Sequence, residues 1–131
     1  MTRAERAEAG ARATIGARFR MQGRDPALGL DCVGVVAVAL AAAGIRIDVP
    51  NDYRMRRGRV PDFVPPDDVV PCDGARAGDV LMCRVSAAQL HLAVRTGRGV
   101  VHADAMLRRV VERPGVLPWP IERAWRLSEE G

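Results

Sequence analysis

Asp31-Cys32-Val33-Gly34-Val35-Val36-Ala37-Val38-Ala39-Leu40-Ala41-Ala42-Ala43-Gly44 is the stretch that decides the fold. Asp31 is a good N-cap, because its carboxylate can accept an N–H that the first helical turn leaves unpaired. Gly44 is a natural C-terminal stop. The helix predicted between them, Cys32 to Ala43, is apolar on every side, and such a helix belongs in the middle of a fold. It is far shorter than the roughly 20 residues that span a bilayer, which argues against membrane insertion. Cys32 falls in its first turn. Unpaired N–H groups and the positive end of the helix dipole stabilise a thiolate there, so its pKa is expected to drop from about 8.5 to roughly 3.5–7.5.

On the N-terminal side, Thr2 and Glu5 have capping-box spacing and predict a helix from Thr2 to Thr14. Gly16 to Leu30 reads as a long connection, of a length that is often functional. Beyond Gly44, Ile45 to Val49 reads as extended, Asn51 to Arg57 as a short helix, and Gly58 to Ala77 as Pro-rich and irregular. After Gly78-Asp79 the period changes to two. Asp79–Val85, Leu90–Thr96, Gly99–Asp104, Leu107–Glu112 and Glu122–Leu127 predict short strands. Helices first and strands after is the α+β pattern, with helices packed on an antiparallel sheet of about five strands. The 131 residues, 14.2 kDa, fit a single domain over 1–131.

The formal net charge is +4, but all 20 basic residues are arginine and 16 acids are spread among them. The densest basic run, Arg54-Met55-Arg56-Arg57-Gly58-Arg59, has only Tyr53 beside it. Nucleic-acid binding would want basic residues interleaved with stacking aromatics, so no nucleic-acid partner is expected. Cys32, Cys72 and Cys83 are too few for a disulfide framework. Met1 to Ala9 has no apolar signal-peptide core, so synthesis in a reducing cytoplasm is expected.

The chain holds two histidines, His91 and His102, both in one predicted hairpin. Leu90, Leu92 and Val94 alternate with His91, Ala93 and Arg95, so His91 points away from the leucine face. An even loop around Thr96-Gly97-Arg98-Gly99 would set 93 opposite 102 and 91 opposite 104. Both imidazoles would then share one face as diagonal neighbours, whereas an odd loop would part them. Either histidine alone would read as a hydrogen-bonded strand residue. Two on one face, with a cysteine at a helix start, read as nucleophile, base and orienter. Cys72, in a Pro-rich loop, and Cys83, in mid-strand, fit that role worse.

These residues resemble the NlpC-type cell-wall cysteine peptidases of the papain-like clan. The matching stretches are Gly16-Ala17-Arg18-Phe19-Arg20-Met21-Gln22-Gly23, Asp31-Cys32-Val33-Gly34, Ala77-Gly78-Asp79-Val80-Leu81, His91-Leu92-Ala93-Val94 and Val101-His102-Ala103. Order and spacing agree over about residues 2 to 127. The stretch from Gln22-Gly23-Arg24-Asp25-Pro26 to Gly34 looks most like the phage-tail and gene-transfer-agent branch, whose members open the host wall during DNA delivery. The resemblance implies Cys32 as nucleophile, His91 as general base and later acid, and His102 as orienter of His91. It also implies a substrate groove at Phe19, Asp31 and Val33, and no cofactor or metal. The implied substrate is a peptidoglycan stem peptide cut at γ-D-glutamyl–diaminopimelate, with phage-like tail proteins as carriers to the wall. The chain departs from the family at Phe19, usually tyrosine, and Val33, usually serine. Neither lies in the catalytic set, but the preference for a free N-terminal stem peptide rests on them.

Three other readings are open from the sequence. One is an amidase or acyltransferase of the same clan. Another is a tail structural protein with a decayed site. The third is a metal module using Cys32, His91 and His102, which would need a fourth ligand such as Asp104.

Overall fold

Thr2 starts the first helix, α1 (Arg3–Ala13), as its spacing predicts: its hydroxyl accepts the Glu5 N–H at 3.0 Å while the Glu5 carboxylate accepts the Thr2 N–H at 2.8 Å. The computed structural model describes residues 1–47 and 67–129. The predicted helix Asn51–Arg57, the basic run Arg54–Arg59, the end of the extended piece Ile45–Val49 and the Gly58–Pro66 part of the Pro-rich stretch lie outside the described residues.

The long connection carries structure of its own, contrary to expectation. β1 (Arg24–Asp25) and β2 (Gly29–Leu30) form a small antiparallel pair, and an isolated bridge joins Phe19 to Leu30. The chain then enters α2 (Cys32–Ala42), where seven residues are buried, among them Cys32, Val33, Val36 and Leu40. Its remaining surface is alanine and Val38, so an all-round apolar sequence coexists with one partly open side.

The sheet has six strands: β3 (Val69–Pro71), β4 (Val80–Ser86), β5 (Gln89–Arg95), β6 (Gly99–Asp104), β7 (Arg109–Pro114) and β8 (Ile121–Leu127). All pairs are antiparallel, in the order β3-β8-β4-β5-β6-β7. The extra strand, β3, hides inside the stretch read as irregular. Pro71 cannot donate to a ladder, but at the end of an edge strand it need not.

Alternation along β5 divides the interior. Leu90, Leu92 and Val94 join the main core with α2 and the buried alanines of α1. Ala93 joins a smaller cluster on the other side with Leu81, Cys83, Val100 and Ala124, on which Leu117 and Trp119 pack. Gly78-Asp79 locks the sheet to the helices. Gly78 has φ +93°, and a Cβ there would stand 2.5 Å from the Ala4 carbonyl oxygen of α1. Asp79, buried, accepts from Arg126 Nε at 3.0 Å and from its terminal nitrogen at 2.9 Å. Among the described residues no helix is long and apolar enough to cross a membrane.

Candidate active site

The β5–β6 hairpin resolves the register in favour of a shared face. Val94 pairs with Val101 and Arg95 with Val100, so four residues make the loop. Continued, this register sets Ala93 opposite His102 and His91 opposite Asp104. The imidazoles meet: His91 Nε2 lies 2.9 Å from His102 Nδ1, with the rings edge-to-face at 87°. One proton lies across that contact, and when His91 Nε2 carries it, Nδ1 is the atom through which His91 can take another. His102 is buried, and among the described residues its Nε2 has no hydrogen-bond partner.

Burial dominates the chemistry of the pair. Desolvation, then the neighbouring His102, push His91 down from an ordinary 6.5 to about 4, with Asp104 opposing. Desolvation lowers His102 as well, where Arg113 adds to the shift and Asp104 again opposes. Both imidazoles are therefore neutral at pH 7. The sign of the linkage follows. Below pH 6.5 the unfolded histidines take up protons that the folded pair resists, so stability falls as the pH drops toward 4.

Cys32 sits where the helix start predicts, but not as the expected thiolate. Burial pushes its pKa up to about 12, and the Asp31 charge adds to the rise. The N–H groups of Leu92, Val33 and Cys32 itself pull it down, and they lose to desolvation. The helix start does favour the thiolate, but desolvation outweighs it because the thiol lies inside the main core. Among the described residues no hydrogen bond joins the Cys32 sulfur to either imidazole. The thiol meets β5 at the Leu92 N–H, directly after His91, and lies in the main core with the Leu92 side chain, whereas His91 shares a face with Cys83 of the smaller cluster. Cys83 is the cross-strand partner of His91 and fully buried, its pKa pushed up to about 11 by desolvation.

This burial reverses the reactivity expected of a low-pKa thiolate at Cys32. In the substrate-free protein at neutral pH, iodoacetamide should label half-buried Cys72 ahead of Cys32 and Cys83. Peptide mapping that found Cys32 labelled first would show a thiolate that this burial does not allow.

The residues expected to line a groove divide. Phe19 is half-buried against the core. Asp31 is buried, and its carboxylate holds the local structure: it accepts from Gln22 N at 2.7 Å, Gly34 N at 2.9 Å and Arg24 at 3.0 Å. Val33 has no exposed surface and packs in the core, so it lines no groove; it is the second residue of a helix whose start faces inward. An open cleft lies beside them on the β1–β2 hairpin, about 350 Å³, lined by Arg20, Gln22, Arg24 and Asp25 among others. Gln22 there has φ +60°, held by its bond to Asp31.

Metal-ligand atoms converge elsewhere. Cys72, Asp73 and Asp79 come within 4.8 Å of one another, but Arg126 already spans both carboxylates, at 3.1 and 2.9 Å. Sequence reasoning missed Trp119, whose ring lies 5.5 Å from His91 and 5.3 Å from His102. Its one signal was being one of two tryptophans, set between two prolines.

Helices on one antiparallel sheet, with a cysteine at the start of the central helix and two histidines on adjacent strands, define a papain-like fold of the NlpC/p60 kind. The solved structures agree. NlpC1 from Trichomonas vaginalis superposes with a TM-score of 0.66 over 95% of this chain at 18% identity, and the chain spans 45% of its length. The NlpC/p60 domain of the peptidoglycan hydrolase SagA gives 0.60 at 22% identity, covering 92% of this chain and 96% of that one. The P60 domain of the antigen MAP1204 from M. avium subspecies paratuberculosis gives 0.56 at 20% identity, covering 94% and 92%. No family model matches the chain, and no curated protein matches it in sequence. At these identities the likeness is one of fold.

Proposed function

We propose that this protein is a cysteine peptidase that hydrolyses an amide of peptidoglycan stem peptides, the γ-D-glutamyl–diaminopimelate bond, and that a phage-like tail carries it to the wall. The observation that carries the reading is the imidazole pair joined at 2.9 Å, on the strand whose Leu92 N–H acts on the Cys32 thiol. The solved neighbour named as a peptidoglycan hydrolase shares the fold over most of both chains.

In this mechanism the resting pair is neutral thiol and neutral imidazole. His91 Nδ1 takes the Cys32 proton as sulfur attacks the scissile carbonyl. His102 supports the imidazolium through the Nε2 contact, and the proton passes to the leaving amine. The N–H groups of Cys32 and Val33, which already act on the thiol, would face the developing oxyanion. Water then releases the acyl group from sulfur. The Arg20 and Arg24 rim of the cleft suits a substrate rich in carboxylates.

Mass spectrometry of purified peptidoglycan after digestion tests this. The expected products are stem peptides ending at D-glutamate, with new amino termini on diaminopimelate. Cleavage of the sugar backbone or of the lactyl amide, or no cleavage by folded protein, would overturn the assignment.

A further inference from the structure

Beyond the residues so far given a role, the β7–β8 connection brings one large side chain onto both histidines. Trp119 completes a triangle of mutually edge-on rings, with centroids 5.0, 5.5 and 5.3 Å apart and interplanar angles of 87°, 74° and 79°. Its placement is built rather than incidental. Pro118 and Pro120 flank it, and the Pro120 carbonyl accepts the Arg84 N–H of β4 at 3.0 Å. Leu117 and Trp119 pack together on the cluster of Leu81, Cys83, Ala93, Val100 and Ala124. Arg113 of β7 caps the indole, its guanidinium 5.7 Å from the ring centroid.

We propose that Trp119 is a positioning residue that holds the His91–His102 pair in its edge-on geometry and keeps water off it, so that His91 stays an unprotonated base. This rests on the peptidase reading for its purpose, but not for its physics. An indole covering two imidazoles replaces solvent that would stabilise their charged forms, and it fixes both rings by contact. The charged and titratable groups around the pair are Asp104 of β6, which favours protonation, Arg113 of β7, which opposes it, and Cys83 of β4 across from His91. Removing Trp119 takes away the cover and the anchor of the Arg113 guanidinium together, and both changes raise the histidine pKa values.

Two histidines in the whole chain make the test direct, because imidazole signals in NMR belong to one or the other. In the wild type, indole-to-imidazole contacts should be present and His91 should titrate well below 6.5. In Trp119→Ala the His91 midpoint should move upward by about one pH unit or more, while Trp119→Phe should stay near wild type. The acid limb of kcat/KM should move in the same direction. Midpoints that agree in wild type and Trp119→Ala would overturn the inference and leave the peptidase reading standing. If Trp119→Ala fails to fold, the wild-type titration still decides: a His91 midpoint at or above 6.5 overturns it. The reverse case is equally distinguishable, since a protein without peptidase activity would still show the shift.

Discussion

Cys32→Ala and His91→Ala are each expected to cut turnover on stem peptides by at least about 10³-fold, and the double variant by no more than the worse single. The two groups act as one unit. Without the imidazole a thiol whose pKa stands near 12 has nothing to take its proton, and without the sulfur the base has nothing to activate. Independent contributions would multiply instead, and a double variant far below both singles would mean that the residues serve separate steps. His102→Ala should cost less, because it removes the partner of His91 Nε2 and leaves the proton acceptor in place. His102→Asn or His102→Gln should recover part of that loss. Cys83→Ala supplies the sharp control. Cys83 stands directly across from His91 on the face that Trp119 shares, but it is fully buried in the smaller cluster and lies at no helix start, so its removal should leave turnover near wild type. A loss equal to that of Cys32→Ala would move the nucleophile to Cys83.

What the sequence made legible was set by short-range rules. The capping box of Thr2 and Glu5, the N-cap at Asp31 and the alternation of Leu90 to Val94 each depend on a few neighbouring residues, and each is realised. The meeting of His91 and His102 was legible one step further out, because a hairpin loop of four residues fixes which positions oppose. The failures are all long-range. β3 exists because β8, more than fifty positions later, offers it an edge, and no local property of Val69-Val70-Pro71 announces that. Val33 and the Cys32 thiol were read from their place in one helix turn, but their burial is decided by the sheet packed beneath them. Trp119 reaches the histidines through a proline-flanked connection whose path follows no period.

Gly34→Ala should be clearly damaging, although alanine is normally the better helix residue by about 1 kcal/mol. A Cβ at position 34 would stand 2.1 Å from the Gly23 carbonyl oxygen and 3.1 Å from Leu30 Cδ2. The first of these is backbone and cannot rotate away. It is also held in place, since Gly23 donates to the Arg20 carbonyl at 2.8 Å, its own carbonyl accepts from Arg24 at 3.0 Å, and Gln22 beside it donates to Asp31 at 2.7 Å. The methyl must therefore push the cleft-bearing segment off the start of α2, at a cost of about 1–3 kcal/mol. Because that start carries Cys32, turnover should fall together with the urea midpoint. Gly44→Ala at the other end of α2 separates the two effects. Among the described residues nothing lies within 4 Å of a Cβ there, and the strain comes from φ +82°, so about 1 kcal/mol of stability should go while turnover of the folded fraction is unchanged. A Gly34→Ala protein as stable and as active as wild type would mean that the contact between Gly23 and α2 does not hold the cleft against the helix.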